Sequence, residues 1–299
     1  RWIGFAERNM ENGILKHWGV TQYRNWYLGD WATPVGIDQT APLSIDVVNN
    51  CVMSESYLTM SKIASALGKS ADAAIYRAKH QQHNALIHKT FFDPEKKSYS
   101  TGTQIDLIYP MFVGATPESE IKAVEQTLWQ RTENIYKGHL ATGLVGVPII
   151  TQWATREAKA EQMYNMLKKR EYPGYLYMLD NGADLTWEHW NGERSHIHNC
   201  YNGIGSWFYQ ALGGITPDEA QPGYKHINIR PQIVEKIDWV KVSKDTPYGK
   251  LSVNWEKKGA KVDINVEIPV GSTATLYTPD NKTVTLPSGH HSISCDIVK

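Results

Sequence analysis

The sequence predicts a multidomain chain, helical first and β second. Three observations predict it. Apolar residues recur at three- to four-residue spacing as far as about residue 213, single alternation takes over from about residue 224, and Gly213-Gly214 marks the change. The first part, 1–215, reads as paired helices joined by loops, and the second, 216–299, as a small antiparallel β-sandwich.

The helical elements follow in order. The opening, RWIGFAERNMENG, reads as part of an amphipathic helix and has no apolar leader core. Arg1 therefore reads as an internal position of a longer polypeptide. Residues 44–67 keep helical spacing and end at Gly68, a C-cap signal. Residues 70–91 start at Ser70 as N-cap and carry Ala74, Ala78, Ala85 and Leu86. A shorter helix covers 103–113. Thr116-Pro117, a cap followed by proline at the first helical position, opens a helix to about 134. Further helices are expected at 142–155, 157–169 and 198–212. The turns between them are GDWATPVG, DPEKKSYSTG, YKGHLATG and EYPGY. About eight helices are too few to close a barrel of helix pairs, so the barrel reads as incomplete at its N-terminus.

TPDEAQPGYKHI, 216–227, reads as a linker. Segments 224–230, 237–243, 249–256, 261–268, 273–277 and 283–285 alternate apolar with polar residues. Breaks fall at Pro231, Pro247, Gly259, Pro269, Pro279 and Pro287. Trp239 and Trp255 alternate with apolar neighbours and read as core.

Composition excludes several classes. Lys plus Arg is 31 and Asp plus Glu is 31, so there is no basic excess to attract nucleic acid or an anionic membrane. No run of 18 apolar residues exists, so no membrane span is expected. Cys51, Cys200 and Cys295 form neither a disulfide framework nor a CxxC pair and read as buried free thiols. No Gly-rich phosphate loop, GxSxG elbow or HExxH helix is present. His196-x-His198 lacks a third ligand at metal spacing, and neither metal nor cofactor is expected. Compartment and oligomeric state stay open.

The chemistry concentrates in 183–199, ADLTWEHWNGERSHIHN, which sets Glu188 between Trp187 and Trp190 and adds Asn191, Glu193, Arg194, His196 and His198. Indole faces suit the C–H face of a pyranose, and a carboxylate moves protons or binds hydroxyls. Eleven Trp and sixteen Tyr against five Phe favour wet, concave surfaces in the same way. A Trp-rich segment is equally a core with a solvated rim, and at least one of the two indoles is expected to pack.

Several segments carry a family resemblance. They are YLGDWATP (27–34), GHLATGLVGVP (138–148), REYPGYLYMLDNGADLTWEHWNG (170–192), SHIHNCYNGIGSWFYQALGGI (195–215), PDEAQPGYKHINIRPQ (217–232) and DTPYGKLSVNW (245–255). In order and spacing the chain resembles the carboxy-terminal two-thirds of inverting α-L-rhamnosidases, glycoside hydrolase family 78. The resemblance implies an (α/α)6 barrel followed by a β-sandwich, and terminal L-rhamnose as carbohydrate substrate. It also implies that Glu188 is the general base, that Trp31 lines the rhamnose pocket and that His198 contacts sugar, with Trp187 and Trp190 flanking the base. Family members often have Asn before that histidine, where this chain has Ile197. Asp30 is expected either to bind hydroxyls or to cap the next turn. His139 reads as structural. The family's general acid lies in a Glu-Arg-x-Gly-Trp-x-Gly-Asp segment, which this chain lacks; Glu7-Arg8 starts like it, but Asn9-Met10-Glu11 breaks the pattern. Two alternatives stand beside hydrolysis of rhamnosides: a non-catalytic rhamnose- or pectin-binding module, and action on another deoxy sugar or a uronide.

Overall fold

A computed structural model describes residues 1–17, 27–34, 42–199 and 201–298. Cys200 and the last two residues of GDWATPVG lie outside the described residues. The chain divides into two compact units, Arg1–Trp153 with Met166–Asn202, and Ala154–Asn165 with Gly203–Lys299. In chain order a helical region precedes a β region, as the periodicities predict.

The helices are α1 (Trp2–Arg8), α2 (Pro42–Ala66), α3 (Ser70–Phe91), α4 (Gln104–Val113), α5 (Glu118–Asn134), α6 (Gly146–Arg156), α7 (Ala160–Leu167) and α8 (Tyr175–Asp180). Two short hairpins interrupt them, β1 (Met10–Glu11) with β2 (Ile14–Leu15), and β3 (Phe92–Asp93) with β4 (Ser98–Tyr99). Gly68 stops α2 in the left-handed region at φ 70°. Its N–H goes to Ser65 O at 3.0 Å, and the Lys69 N–H goes to Ala64 O at 2.8 Å. The reversal is so tight that Lys69 takes the N-cap place and Ser70 is already helical, without a side-chain cap. Likewise Pro117, not Thr116, is the N-cap of α5, and the Thr116 hydroxyl accepts from Tyr99 instead.

The start of α4 is a capping box. Thr103 accepts from the Asp106 N–H while the Asp106 carboxylate faces the Thr103 N–H. That carboxylate also accepts from Thr101 Oγ1 at 2.6 Å and Ser44 Oγ at 2.9 Å. Burial pushes the Asp106 carboxyl above its ordinary pKa, and the hydroxyl donors of Thr101, Ser44 and Thr103 oppose that rise. Asp106 is thus a buried hub joining α2, α4 and the loop before α4.

The expected helix over 198–212 is broken up. A 3₁₀ turn (Asn202–Ile204), a short α9 (Gly205–Trp207) and a π turn (Phe208–Leu212) stand in its place. The backbone N–H of His198 is already committed to Thr186 O at 2.9 Å, which holds the start of this stretch extended.

The β region has β5 (Ile215–Pro217), β6 (His226–Ile229), β7 (Trp239–Thr246), β8 (Gly249–Lys258), β9 (Lys261–Ile268), β10 (Thr273–Tyr277), β11 (Thr283–Leu286) and β12 (Gly289–Asp296). They form two four-stranded sheets, β11-β10-β6-β5 and β12-β9-β8-β7. The pairings are antiparallel except that β10 runs parallel to β6. The expected linker is a strand at both ends: Thr216 pairs with Asn228 and Pro217 with Ile227. Register separates the two tryptophans. Val240 pairs with Trp255, which is buried and donates to Leu212 O at 2.8 Å. Trp239 pairs with Glu256 on the opposite face and is 61% exposed, so it is not core. Cys51 and Cys295 are buried free thiols. No helix among the described residues is long and apolar enough to cross a membrane.

Asp106→Ala should lower unfolding stability by roughly 1–3 kcal/mol, since it strands the buried Ser44 hydroxyl and the part-buried donors of Thr101 and Thr103. Urea denaturation measures this directly; a loss near zero contradicts the hub.

Candidate active site

The segment around Glu188 is a folded-back loop. The Glu188 N–H donates to Ser195 O at 2.8 Å, and Thr186 Oγ1 lies within hydrogen-bond distance of His198 O and Asn202 Oδ1. These bonds bring Thr186–Glu188 alongside Ser195–His198.

Both flanking indoles anchor this loop from inside. Trp190 is 1% exposed. Its Nε1 donates to Thr142 O at 2.8 Å, its ring stacks on Tyr201 at 4.1 Å, and Tyr175 meets it edge-on at 5.3 Å. Trp187 is 4% exposed and stacks on His196 at 4.9 Å. Both rings are thus covered by packing partners among the described residues. Two indoles on either side of one residue are drawn inward because each gains more from burial than from solvent.

Asp30 is also committed to structure. Its buried carboxylate accepts from the backbone N–H groups of Gly143 (2.7 Å), Val145 (2.9 Å) and Gly146 (2.8 Å). These groups lead into α6, so Asp30 caps a helix far along the chain rather than the next turn, and that carboxylate is not free for hydroxyls. The approach is so close that a Cβ on Gly143 would collide with the Trp31 carbonyl oxygen, and one on Gly146 with Asp30 and Thr142. The Leu144 N–H donates to Trp31 O at 2.8 Å, which locks the Trp31 backbone in the same clamp.

Trp31 is half-buried and reaches Glu188's neighbours. His189 meets its ring edge-on at 5.9 Å, and the Arg194 guanidinium carbon lies 5.4 Å from its centroid. The buried hydroxyl of Tyr201 lies 2.8 Å from Ala32 O and 3.2 Å from Glu188 O, which ties the two loops together. Sequence reasoning placed Arg194 in the segment around Glu188 but missed Tyr201 and His189 as its partners; the adjacency of His189 to Glu188 was the one signal for either.

The Glu188 side chain is 16% exposed, sheltered yet reachable. Its Oε2 accepts from the Ser195 N–H at 3.3 Å; its Oε1 lies 3.5 Å from Arg194 Nη1 and 4.0 Å from His189 Nε2. Partial burial pushes its pKa up. The Ser195 N–H and the nearby His198, Arg194 and His189 outweigh that effect and hold the carboxyl below the usual glutamate range. Glu188 is therefore an ionised, sheltered carboxylate whose neighbours His189 and Arg194 lie against Trp31. His198 is half-buried within electrostatic reach of it.

His139 is buried and its Nδ1 lies 2.7 Å from Pro173 O, a structural contact. Glu7 accepts from Lys79 at 2.6 Å and Tyr57 at 3.0 Å; these bonds overcome its desolvation and keep it ionised, which does not suit an acid. No group of three or more His, Cys, Asp or Glu among the described residues is arranged to hold a metal ion.

A helical scaffold thus presents the sheltered Glu188 carboxylate on a loop, and a β region follows it in the chain. Residues 1–212 match the bacterial alpha-L-rhamnosidase 6 hairpin glycosidase domain, and residues 214–292 match the bacterial alpha-L-rhamnosidase C-terminal domain. The chain belongs to the bacterial α-L-rhamnosidase family, glycoside hydrolase family 78. It is 25% identical over 301 residues to an alpha-L-rhamnosidase of Alteromonas sp. (strain LOR), covering 95% of this chain and 31% of the relative. It is 26% identical over 304 residues to an alpha-L-rhamnosidase of Formosa agariphila, covering 95% of this chain and 32% of the relative. The chain thus spans about a third of the length of the curated relatives it matches. The same fold is seen in the α-L-rhamnosidase of Dictyoglumus thermophilum (TM-score 0.88, 22% identity, 99% of this chain and 36% of that one). It recurs in that of Streptomyces avermitilis complexed with L-rhamnose (TM-score 0.85, 21% identity, 99% of this chain and 30% of that one).

A ¹³C NMR titration should place the Glu188 carboxyl midpoint below those of the exposed glutamates. A depressed folded pKa adds stability above the unfolded pKa, and that share disappears as pH falls through the folded value. A midpoint above the exposed glutamates contradicts the electrostatic assignment.

Proposed function

We propose that this chain carries part of the catalytic barrel (1–215) and the β domain (216–299) of an exo-acting enzyme that releases terminal α-L-rhamnose with inversion. The observation that carries the reading is Glu188, ionised and 16% exposed, with the half-buried Trp31 beyond its neighbours. L-Rhamnose has a methyl group at C6, and an indole face is a fitting platform for its apolar side. Glu188 is the general base. Water oxygen bonds to the anomeric carbon as its proton passes to the Glu188 carboxylate. The bond from that carbon to the leaving oxygen breaks, and the oxygen takes a proton from an acid on the opposite face. In inverting hydrolysis the two carboxyl groups stand about 6.5–9.5 Å apart to admit the water. A base at neutral pH needs no raised pKa, whereas the acid does. The role of acid is not assigned to Glu7, which Lys79 and Tyr57 hold ionised. His198 completes the ring of polar groups toward the sugar. The Streptomyces avermitilis relative is described in complex with L-rhamnose, which supports the choice of sugar.

A second reading is a module that binds rhamnose without cleaving it. Absence of a Glu-Arg-x-Gly-Trp-x-Gly-Asp segment from the whole protein would favour it.

Glu188→Gln separates the two. In the whole protein the substitution should lower hydrolysis of an aryl α-L-rhamnoside about 10²–10⁴-fold while L-rhamnose still binds. A rate within about threefold of the unsubstituted protein removes Glu188 as base, because a lost general base costs far more than that.

A further inference from the structure

The face of Trp31 is already occupied. The guanidinium of Arg194 lies over it, its carbon 5.4 Å from the ring centroid, and reaches Glu188 Oε1 with Nη1 at 3.5 Å. A cation held over an indole and within reach of a carboxylate takes the place a pyranose would take there, apolar face to ring and polar edge to carboxylate. Loop geometry puts it in that place: Arg194 sits in the left-handed region at φ 64°, which a non-glycine residue adopts only against steric resistance.

We propose that Arg194 is a displaceable plug on the sugar platform, released from Trp31 and Glu188 when the terminal sugar binds. The inference rests on the reading of Glu188 as base and Trp31 as platform. The plug is held loosely. The Arg194 side chain is 60% exposed, and an exposed ion pair and an exposed cation–π contact each shift an equilibrium by less than about tenfold. Displacement has a chemical consequence. The carboxylate loses one cation and becomes a stronger base once sugar is in place. The Ser195 N–H, His198 and His189, the other groups that face it, stay on their own positions of the loop. Arg194 is in this sense a positioning residue: with Ser195, His198 and His189 it holds the carboxyl of the empty site below the usual range, and its departure leaves the filled site more basic.

Arg194→Ala and Arg194→Lys test this in the protein with L-rhamnose as probe, using calorimetric titration and the ¹³C midpoint of Glu188. Arg194→Ala should tighten L-rhamnose binding about three- to tenfold and raise the Glu188 midpoint of the sugar-free protein. Arg194→Lys should keep the lower midpoint, since a point charge still reaches the carboxylate. In the active whole protein the acid limb of kcat/KM should lie below that of kcat, and Arg194→Ala should bring the two together. Unchanged or weaker L-rhamnose binding by Arg194→Ala, with the unsubstituted protein still binding, overturns the plug and leaves the base assignment intact. Failure of both proteins to bind L-rhamnose overturns the substrate reading and the plug with it.

Discussion

The carboxylate of Asp30 accepts three backbone N–H groups from residues 113 to 116 positions further along the chain. Those groups lead into α6 and would otherwise be buried without partners, at a penalty of about 1–3 kcal/mol each. The same clamp fixes the backbone of Trp31 through the Leu144 N–H, and glycine at 143 and 146 is what lets the strands of chain touch. Tyr201 then carries the restraint onward, with one buried hydroxyl facing the carbonyls of Ala32 and Glu188. The position of Glu188 relative to Trp31 is therefore a product of buried polar bonds, not of apolar packing alone.

The two buried tryptophans complete that logic. Trp190 spans from Thr142 to Tyr201, and Trp187 backs onto His196, so the loop that carries Glu188 is supported along its inner side. Supports of this kind are what hold a reactive side chain to a narrow range of positions. The charge environment works on the same residue from the other side. One backbone donor and three basic side chains outweigh partial burial and keep Glu188 ionised.

Much of the fold is legible from periodicity. The segments 70–91, 261–268 and 273–277 coincide with α3, β9 and β10 because each runs between unambiguous breakers such as Gly68, Gly259 and Pro269. The misses have physical causes. The helix expected over 198–212 lost its first turn to a pairing between His198 and Thr186 that no local pattern reveals. Strand β12 went unread because Gly289 and His291 take two of its inward positions and leave only Ile293 and Cys295 to mark the apolar alternation. Trp239 and Trp255 look alike in sequence, yet strand register sends one to solvent and the other inward. At the site, the segment and its carboxylate are legible; the roles of the neighbours are not. Whether an indole packs or lies open, and whether Asp30 caps or binds, depends on contacts between residues far apart in the chain.

The central claim is that Glu188 and Trp31, and not the tryptophans beside Glu188 in sequence, receive the sugar. The most direct measurement is an NMR titration with L-rhamnose that follows the indole N–H signals and the glutamate side-chain carboxyls together. The account predicts saturating shifts at Trp31 and Glu188 with one common affinity, while Trp190 and the exposed Trp239 stay in place. Shifts centred on Trp239 or Trp190, with Trp31 and Glu188 unmoved, would contradict it.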